Sequence, residues 1–206
     1  MRKFFMISIA LLLCALSTAD ASEKFVNFPA IGQCTGTYVR YRSDPDTESE
    51  ILGRLNTPER VVVFGQTAVD GEVWYEIGDP HGQDSAFVFG KYIKPLFNTT
   101  SQQSPVHKLI FDILMSYGLT EEHDDYDGPE VKRKYDKAGN LIRVEARNKK
   151  CEFGDIKIGD DVNKLEEVLG SPEHWDEEEW EYNLEHVIIT FKLRDGKITR
   201  MIYEEE

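Results

Sequence analysis

Short stretches of alternating apolar and polar residues, separated by turn residues, fill the first half of the chain from residue 35 onward. In the first stretch Val39 and Tyr41 fall on one face, and Tyr38, Arg40 and Arg42 fall on the other, which is the period of a half-buried strand. The run RVVVF at 60–64 is apolar almost throughout and predicts a buried strand. About five such strands between turn clusters predict a small barrel.

The order of the motifs in this half resembles that of the bacterial SH3-like domains. The segments YRSDPDT, ILGRL and RVVVFG, the pair Trp74 and Tyr75, and a closing KYIKP follow that family's motif order over residues 35–96. Asp44 stands where the family usually has glycine, and the strand at 85–88 lacks its customary tryptophan. The resemblance implies an SH3-like barrel in an exported protein that binds cell-wall material or another envelope protein.

Helical periodicity begins only after a small, polar stretch, NTTSQQS at 98–104, which predicts a linker. Four apolar residues between Pro105 and Gly118 form one face of a predicted helix. A second helix is expected at 162–169, and hairpins are expected around 136–140 and 194–197. The order helix, acidic loop, hairpin thus occurs twice. The fold class predicted for the chain is α+β: a small barrel followed by an α+β unit of two αββ repeats with an antiparallel sheet.

The last part of the chain has a resemblance of its own. It contains IKIG at 156–159, LGSP at 169–172, WEY at 180–182 and a DGK hairpin tip at 195–197, in that order. This order resembles the SmpA/OmlA outer-membrane assembly lipoproteins and the related β-lactamase-inhibitor-like αββ domains. Asp160 replaces the family's usual methionine, and the sequence has no lipobox. The resemblance implies a fold that binds proteins.

The first residues, MRKFFMISIALLLCALSTADA, combine a basic head, an apolar core too short to span a bilayer, and small residues before a cleavage position. This pattern predicts a signal peptide at 1–21 that is cleaved near Ala21, and a periplasmic or extracellular mature chain. No later run reaches the roughly 18 apolar residues of a membrane span, so no integral membrane segment is expected in the mature chain. The predicted domains are therefore a barrel at 22–97, a linker at 98–104 and a tandem αββ domain at 105–206.

Charge and cysteine content narrow the partner classes further. The formal net charge is −14, and such a field repels phosphate backbones, so nucleic acid is not an expected partner.

Two cysteines remain after cleavage, Cys34 and Cys151, and an even pair in an oxidising compartment favours a disulfide between them. The alternative is two separate buried thiols, because sequence alone does not fix their geometry.

Motifs for catalysis or metal binding are lacking in the sequence. The segment HDDYDG at 123–128 resembles part of a calcium loop, but Lys134 falls where that loop needs a bidentate glutamate, which favours a solvated acidic loop. The histidines do not have the spacing of a zinc site, and there is no G-x-S-x-G motif. The sequence therefore predicts no catalytic residue, no metal and no cofactor.

Exposed aromatic residues beside arginines are the best binding candidates, because such a surface stacks on sugar rings or peptide. The alternative is that these aromatics complete a core. The candidate binding residues are Tyr38, Arg40, Arg42, Trp74, Tyr75, Trp175 and Trp180. We expect an exported, non-enzymatic binding protein of the bacterial cell envelope that recognises a protein or peptidoglycan. The alternative function is an accessory cell-wall hydrolase.

Overall fold

The computed structural model describes residues 24–78, 85–98, 100–118 and 131–206. Within these residues the chain is mostly antiparallel sheet with two short helices, consistent with the predicted SH3-like β domain. The predicted signal peptide at 1–21 and the calcium-like segment at 123–128 lie outside the described residues.

The first sheet has seven strands and contains the segments predicted to form the barrel. In chain order its strands are β1 (Ala30–Cys34), β2 (Val39–Arg42), β3 (Ile51–Leu55), β4 (Arg60–Val69), β5 (Glu72–Gly78), β6 (Ala86–Phe89) and β7 (Ile93–Pro95). Their spatial order is β3-β2-β6-β5-β4-β1-β7, and neighbouring strands run antiparallel. The sequence pattern predicts no strand at 30–34, yet β1 pairs with both β4 and β7.

Strand β2 confirms the predicted alternation. Val39 is buried and Tyr41 packs against the barrel core, whereas Arg40 is exposed. Each side chain therefore points to the face that the two-residue period assigns to it.

The second sheet has six strands, and helix α1 (Pro105–Tyr117) packs against one of its faces. The remaining elements are β8 (Val131–Tyr135), β9 (Leu141–Ala146), β10 (Glu152–Phe153), β11 (Ile156–Lys157), α2 (Asn163–Leu169), β12 (His174–Trp175), β13 (Glu179–Leu184), β14 (Val187–Arg194) and β15 (Lys197–Glu205). The spatial order is β12-β13-β14-β15-β9-β8, while β10 and β11 form a separate ribbon. Both predicted hairpins, β8–β9 and β14–β15, are present.

Helix α1 begins and ends where its sequence signals place it. The Ser104 hydroxyl oxygen accepts a hydrogen bond from the backbone N–H of His107 at 3.0 Å, which satisfies one of the free donors of the first turn. Pro105 is the first helical residue, and Gly118 follows the last. The buried face of α1 includes Ile110 and Ile113, both without exposed surface.

The two predicted αββ units differ in helix length and in number of strands, so the structure does not confirm the repeat. The first combines the 13-residue helix α1 with the hairpin β8–β9. The second combines the 7-residue helix α2 with the hairpin β14–β15, and β12 and β13 extend its side of the sheet. Helix, then hairpin, is thus a common order, but the number of strands is not shared.

A core shared by both sheets explains why β1 and β4 are apolar on two faces. Val63 and Ala30 point into the barrel core, whereas Val62 and Ile31 pack in the same cluster as α1 and the six-stranded sheet. A strand that is buried on both faces reads as a continuous apolar run, as RVVVF does.

Polar contacts also join the two halves. Arg60 of β4 forms a two-pronged ion pair with Glu205 of β15, with N–O distances of 2.8 and 2.5 Å, and both side chains are 7 % exposed. Burial disfavours the charge of Arg60, but the hydrogen bond and charge of Glu205 outweigh it and raise the pKa of the guanidinium. Arg60 also donates to the carbonyl oxygen of Leu141 at 3.2 Å.

The predicted linker is packed against the rest of the chain. Ser101–Gln103 form a short 3-10 helix in which Gln102 is buried. The side-chain amide of Gln102 donates to the carbonyl oxygens of Lys24 and Phe97 at 3.0 and 2.9 Å. These bonds fix the segment between the two sheets, while the boundaries 22–97, 98–104 and 105–206 stay a prediction.

The predicted disulfide is not formed, because the two cysteines belong to different parts of the interior. Both Cys34 and Cys151 are free thiols. Cys34 is buried in the barrel core, and Cys151 packs against the core shared with the six-stranded sheet. The structure therefore matches the alternative of two separate thiols.

Candidate binding groove on the barrel

An aromatic floor underlies a groove on the outer side of the barrel. Trp74 of β5 stands opposite Phe89 of β6, with ring centroids 5.4 Å apart, and Phe89 contacts Tyr92 edge-on at 6.1 Å. Trp74 is 6 % exposed although it belongs to neither hydrophobic core cluster, because its neighbours on the outer side of the sheet cover it. The Lys91 ammonium lies over the rings of Phe89 and Tyr92 at 4.9 and 4.8 Å, a cation–π arrangement.

One wall of the groove is formed by Tyr38 and Arg40. Tyr38 directly precedes β2 and has a positive φ of 55°, a conformation uncommon for residues other than glycine. Its backbone N–H donates to the side-chain oxygen of Asn56 at 2.9 Å, and its ring is 71 % exposed. Arg40 is exposed, and its side chain has no hydrogen bond or ion pair with another residue in the described part of the chain. Both side chains are therefore available to a ligand.

The loop between β2 and β3 closes one end of the groove and is held by its own polar groups. Asp46 accepts hydrogen bonds from the backbone N–H groups of Glu48 and Ser49 at 2.7 and 2.6 Å. The Arg42 guanidinium donates to the carbonyl oxygen of Ser49 at 2.6 Å, so this predicted binding residue also anchors the loop. A pre-ordered loop lowers the entropy that a ligand must overcome.

The opposite rim is acidic. Asp70 and Glu72 come from the turn between β4 and β5, where Asp70 has a φ of 52°. With Asp46 they line the same groove of about 560 Å³ as Arg40 and Arg42. The groove therefore combines an aromatic floor, a basic wall and an acidic rim, which suits a ligand with a flat apolar part and charges of both signs.

Two of the predicted site residues lie elsewhere, and one is a core residue. Tyr75 is buried in the barrel core, with its ring edge-on to that of Phe25 at 4.9 Å, so it is not available for binding. Trp175 and Trp180 form a cross-strand pair of β12 and β13 and do not line the groove. Trp180 packs against the shared core, whereas Trp175 is 66 % exposed.

The sequence reasoning missed Phe89, Tyr92 and the acidic rim. The two-residue period gives a usable signal for Phe89: Val88 is fully buried, so its neighbour points outward, onto the side of Trp74. The acidic rim has no such signal, because turn residues such as Asp70 are polar in most proteins.

The family model of the bacterial SH3 domain matches residues 35–94. These residues are a bacterial SH3 domain. The matched segment contains all the residues of the groove and excludes β1 and the six-stranded sheet. Such a domain suggests a module that binds cell-wall material or peptidoglycan. No curated protein and no solved structure matches the chain.

The described residues contain neither a candidate metal cluster nor a membrane-spanning helix. No group of three or more His, Cys, Asp or Glu side chains in this part of the chain is placed to hold a metal ion. Neither of the helices described above has the length and apolar character needed to cross a bilayer.

Proposed function

We propose that this chain is an exported, non-enzymatic binding protein of the bacterial cell envelope, and that the barrel groove holds peptidoglycan. The observation that carries the proposal is the groove itself: an aromatic floor and an exposed tyrosine, between a basic wall and an acidic rim, on a bacterial SH3 domain. The predicted signal peptide at 1–21 supports export to the compartment that contains this ligand.

Peptidoglycan has the chemistry that such a groove can use. Its sugar rings offer flat apolar faces for Tyr38 and Tyr92, and aromatic side chains carry much of the binding energy at such contacts. Its peptide part offers carboxylates for Arg40 and amide or amino groups for Asp70 and Glu72.

Retention of the purified protein on isolated peptidoglycan tests the proposal. Tyr38→Ala removes an exposed ring without opening the core, so we expect it to weaken binding by about 2 kcal/mol, roughly thirtyfold in Kd, with no loss of stability. Leu52→Ala is the matched control, because Leu52 is also exposed, at 46 %, but does not line the groove. Arg40→Ala should weaken binding, whereas Lys94→Ala should not.

Several outcomes contradict the proposal. If the unmodified protein is not retained by peptidoglycan, the ligand assignment is wrong, and capture from an envelope extract then tests a protein ligand for the groove. Equal effects of Tyr38→Ala and Leu52→Ala would place the binding site elsewhere. Clearing of peptidoglycan by the pure protein in a zymogram would favour the hydrolase alternative.

The exposed Trp175 supports a second binding site, for a protein with a basic surface. It lies on the edge strand β12, and its sequence neighbours include Glu173, Asp176 and Glu177, which are exposed. Carboxylates steer a basic partner, and burial of an aromatic ring holds it. Trp175→Ala should weaken such a partner without unfolding the protein, and the association rate should fall as salt is added.

A further inference from the structure

The six-stranded sheet has an outer face, opposite the face that packs into the shared core. Alternate residues of its strands point inward, where Phe191, Met201 and Tyr203 are fully buried in the shared core. The residues between them point outward and align in rows across the sheet. These rows are Glu179, Lys192 and Arg200; Glu181, Thr190, Ile202, Glu145 and Lys132; and Asn183, Ile188, Glu204, Arg143 and Lys134.

Basic side chains dominate this face, although the whole chain has a net charge of −14. They come from four strands and from the residue after β9: Lys132, Lys134, Arg143, Arg147, Lys192, Arg194 and Arg200. The three rows themselves carry five basic residues and four carboxylates, so the excess of positive charge comes mainly from Arg147 and Arg194 beside them. The four carboxylates are Glu145, Glu179, Glu181 and Glu204. The tertiary structure thus separates charges that are interspersed in the sequence.

Glu145 at the middle of the face lies among three guanidinium groups, of which that of Arg143 also pairs with Glu204. It accepts a hydrogen bond from Arg147 Nε at 2.7 Å, and it lies within 3.4 Å of Arg200 and 3.7 Å of Arg143. Burial opposes ionisation of Glu145, but the hydrogen bond and charge of Arg147 and the charges of Arg200 and Arg143 outweigh it and lower the pKa. Three guanidinium groups around one carboxylate leave donors for further acceptors.

A pocket of about 360 Å³ lies beside this cluster. It is lined by Arg147, Lys192, Arg194 and Arg200, with Glu178 on its rim. Arg194 is exposed, and its side chain makes no hydrogen bond or ion pair with another residue in the described part of the chain. It is therefore ready to bind an incoming carboxylate.

Apolar residues lie among these charges. Ile202 is only 9 % exposed although it belongs to neither core cluster, so long outer-face side chains cover it. Ile188 on the next strand is half-buried. Arginines around an apolar centre are typical of protein–protein interfaces. A surface that binds anions by charge alone would not need isoleucines at its centre.

We infer that this outer face is a docking surface for an acidic polypeptide, whose carboxylates pair with the arginines and whose apolar side chain packs on Ile188. The inference is separate from the proposed function of the barrel groove. The negative charge on the rest of the chain repels a long polyanion that extends beyond the face. Salt screens this repulsion beyond a Debye length of about 8–10 Å, so the contacts at the face itself determine the affinity for an acidic polypeptide.

Fluorescence anisotropy of a labelled acidic peptide that contains leucine tests the inference on the full protein. We expect saturable binding that weakens with salt, and a loss of about tenfold in Kd on Arg194→Glu. Arg200→Gln, a second variant without charge reversal, should also weaken binding. Lys94→Glu is the matched control, because Lys94 is exposed on β7 of the barrel and the change in net charge equals that of Arg194→Glu.

Four outcomes would overturn the inference. The first is no binding of the acidic peptide, and the second is an equal loss of binding in Lys94→Glu and Arg194→Glu, which would reflect net charge alone. The third is binding of inorganic polyphosphate as tight as that of the peptide, which would make the face a general anion surface. The fourth is concentration-dependent dimerisation that Arg194→Glu abolishes, because a second copy of this chain would then be the occupant.

Discussion

The buried ion pair between Arg60 and Glu205 should be decisive for the stability of the whole chain. In Arg60→Met, Glu205 keeps the hydrogen bond from the Tyr203 hydroxyl but loses the guanidinium, at a position where its side chain is 7 % exposed. Breaking a buried pair on one side costs about 3–5 kcal/mol, because a charge is left without compensation. For a chain of this size that corresponds to a fall in Tm of roughly 6–20 °C.

Urea unfolding followed by circular dichroism and by tryptophan fluorescence measures this loss. Trp74 reports on the barrel and Trp180 on the six-stranded sheet, so coincident transitions would show that the shared core unfolds as one unit. The double variant Arg60→Met/Glu205→Leu should recover at least about 1 kcal/mol relative to Arg60→Met, since both buried charges are gone.

The control is Lys108→Met, which breaks an exposed i,i+4 pair with Asp112 and should cost only about 0.3–0.5 kcal/mol. A loss below about 1 kcal/mol in Arg60→Met, or a loss no larger than that of the control, would refute the reasoning. Both results would mean that water or another donor replaces the guanidinium at Glu205.

Four further predictions concern other parts of the molecule. Ile110→Ala should destabilise the protein by about 2–5 kcal/mol in urea unfolding, because its side chain is fully buried in the shared core; a change under 1 kcal/mol, on the order of a surface substitution, would contradict that placement. Trp175→Ala should leave the Tm nearly unchanged, whereas Trp180→Ala should lower it; the reverse order would mean that Trp175 belongs to the core. In a thiol titration without reductant, Cys34 should be unreactive in the native protein, because burial raises its pKa and blocks access of the reagent. It should react once the protein is unfolded in urea. A thiol that stays unreactive in urea would show that Cys34 is in a disulfide after all. Burial lowers the pKa of His107 although a nearby glutamate acts in the opposite direction. The unfolded state therefore binds the proton more tightly, and the free energy of unfolding should fall as the pH drops below about 6.5. If His107→Gln has the same pH dependence as the unmodified protein, His107 is not its cause.

Local patterns were sufficient for most elements of the fold. Alternation placed Val39 and Tyr41 inside the barrel and Arg40 outside, and Pro105 and Gly118 marked the two ends of α1. These signals are reliable because they depend on neighbours in sequence: a strand repeats every two residues, and a helix end must satisfy its own backbone groups. The ordered motifs were also enough to recognise the bacterial SH3 domain that the family model matches at 35–94.

Features that depend on distant residues came only from the tertiary structure. Sequence offered both Trp74 and Tyr75 as binding residues, and only the packing placed Tyr75 in the barrel core. Sequence also favoured a bridge between Cys34 and Cys151, which the structure shows as free thiols. Strand β1 has no periodic signal, because its two faces meet two different cores.

The same holds for the charges. The sequence by itself determined a net charge of −14, the strand pattern and the class of the first domain, since composition and local periodicity are properties of the chain alone. Only the tertiary structure decided that arginines from β9, from the residue after β9 and from β15 gather around Glu145, and that carboxylates line the same groove as Arg40. The pairing of β15 with β9 brings Arg200 close to Glu145, and alternation within one strand does not encode which distant strand becomes its neighbour.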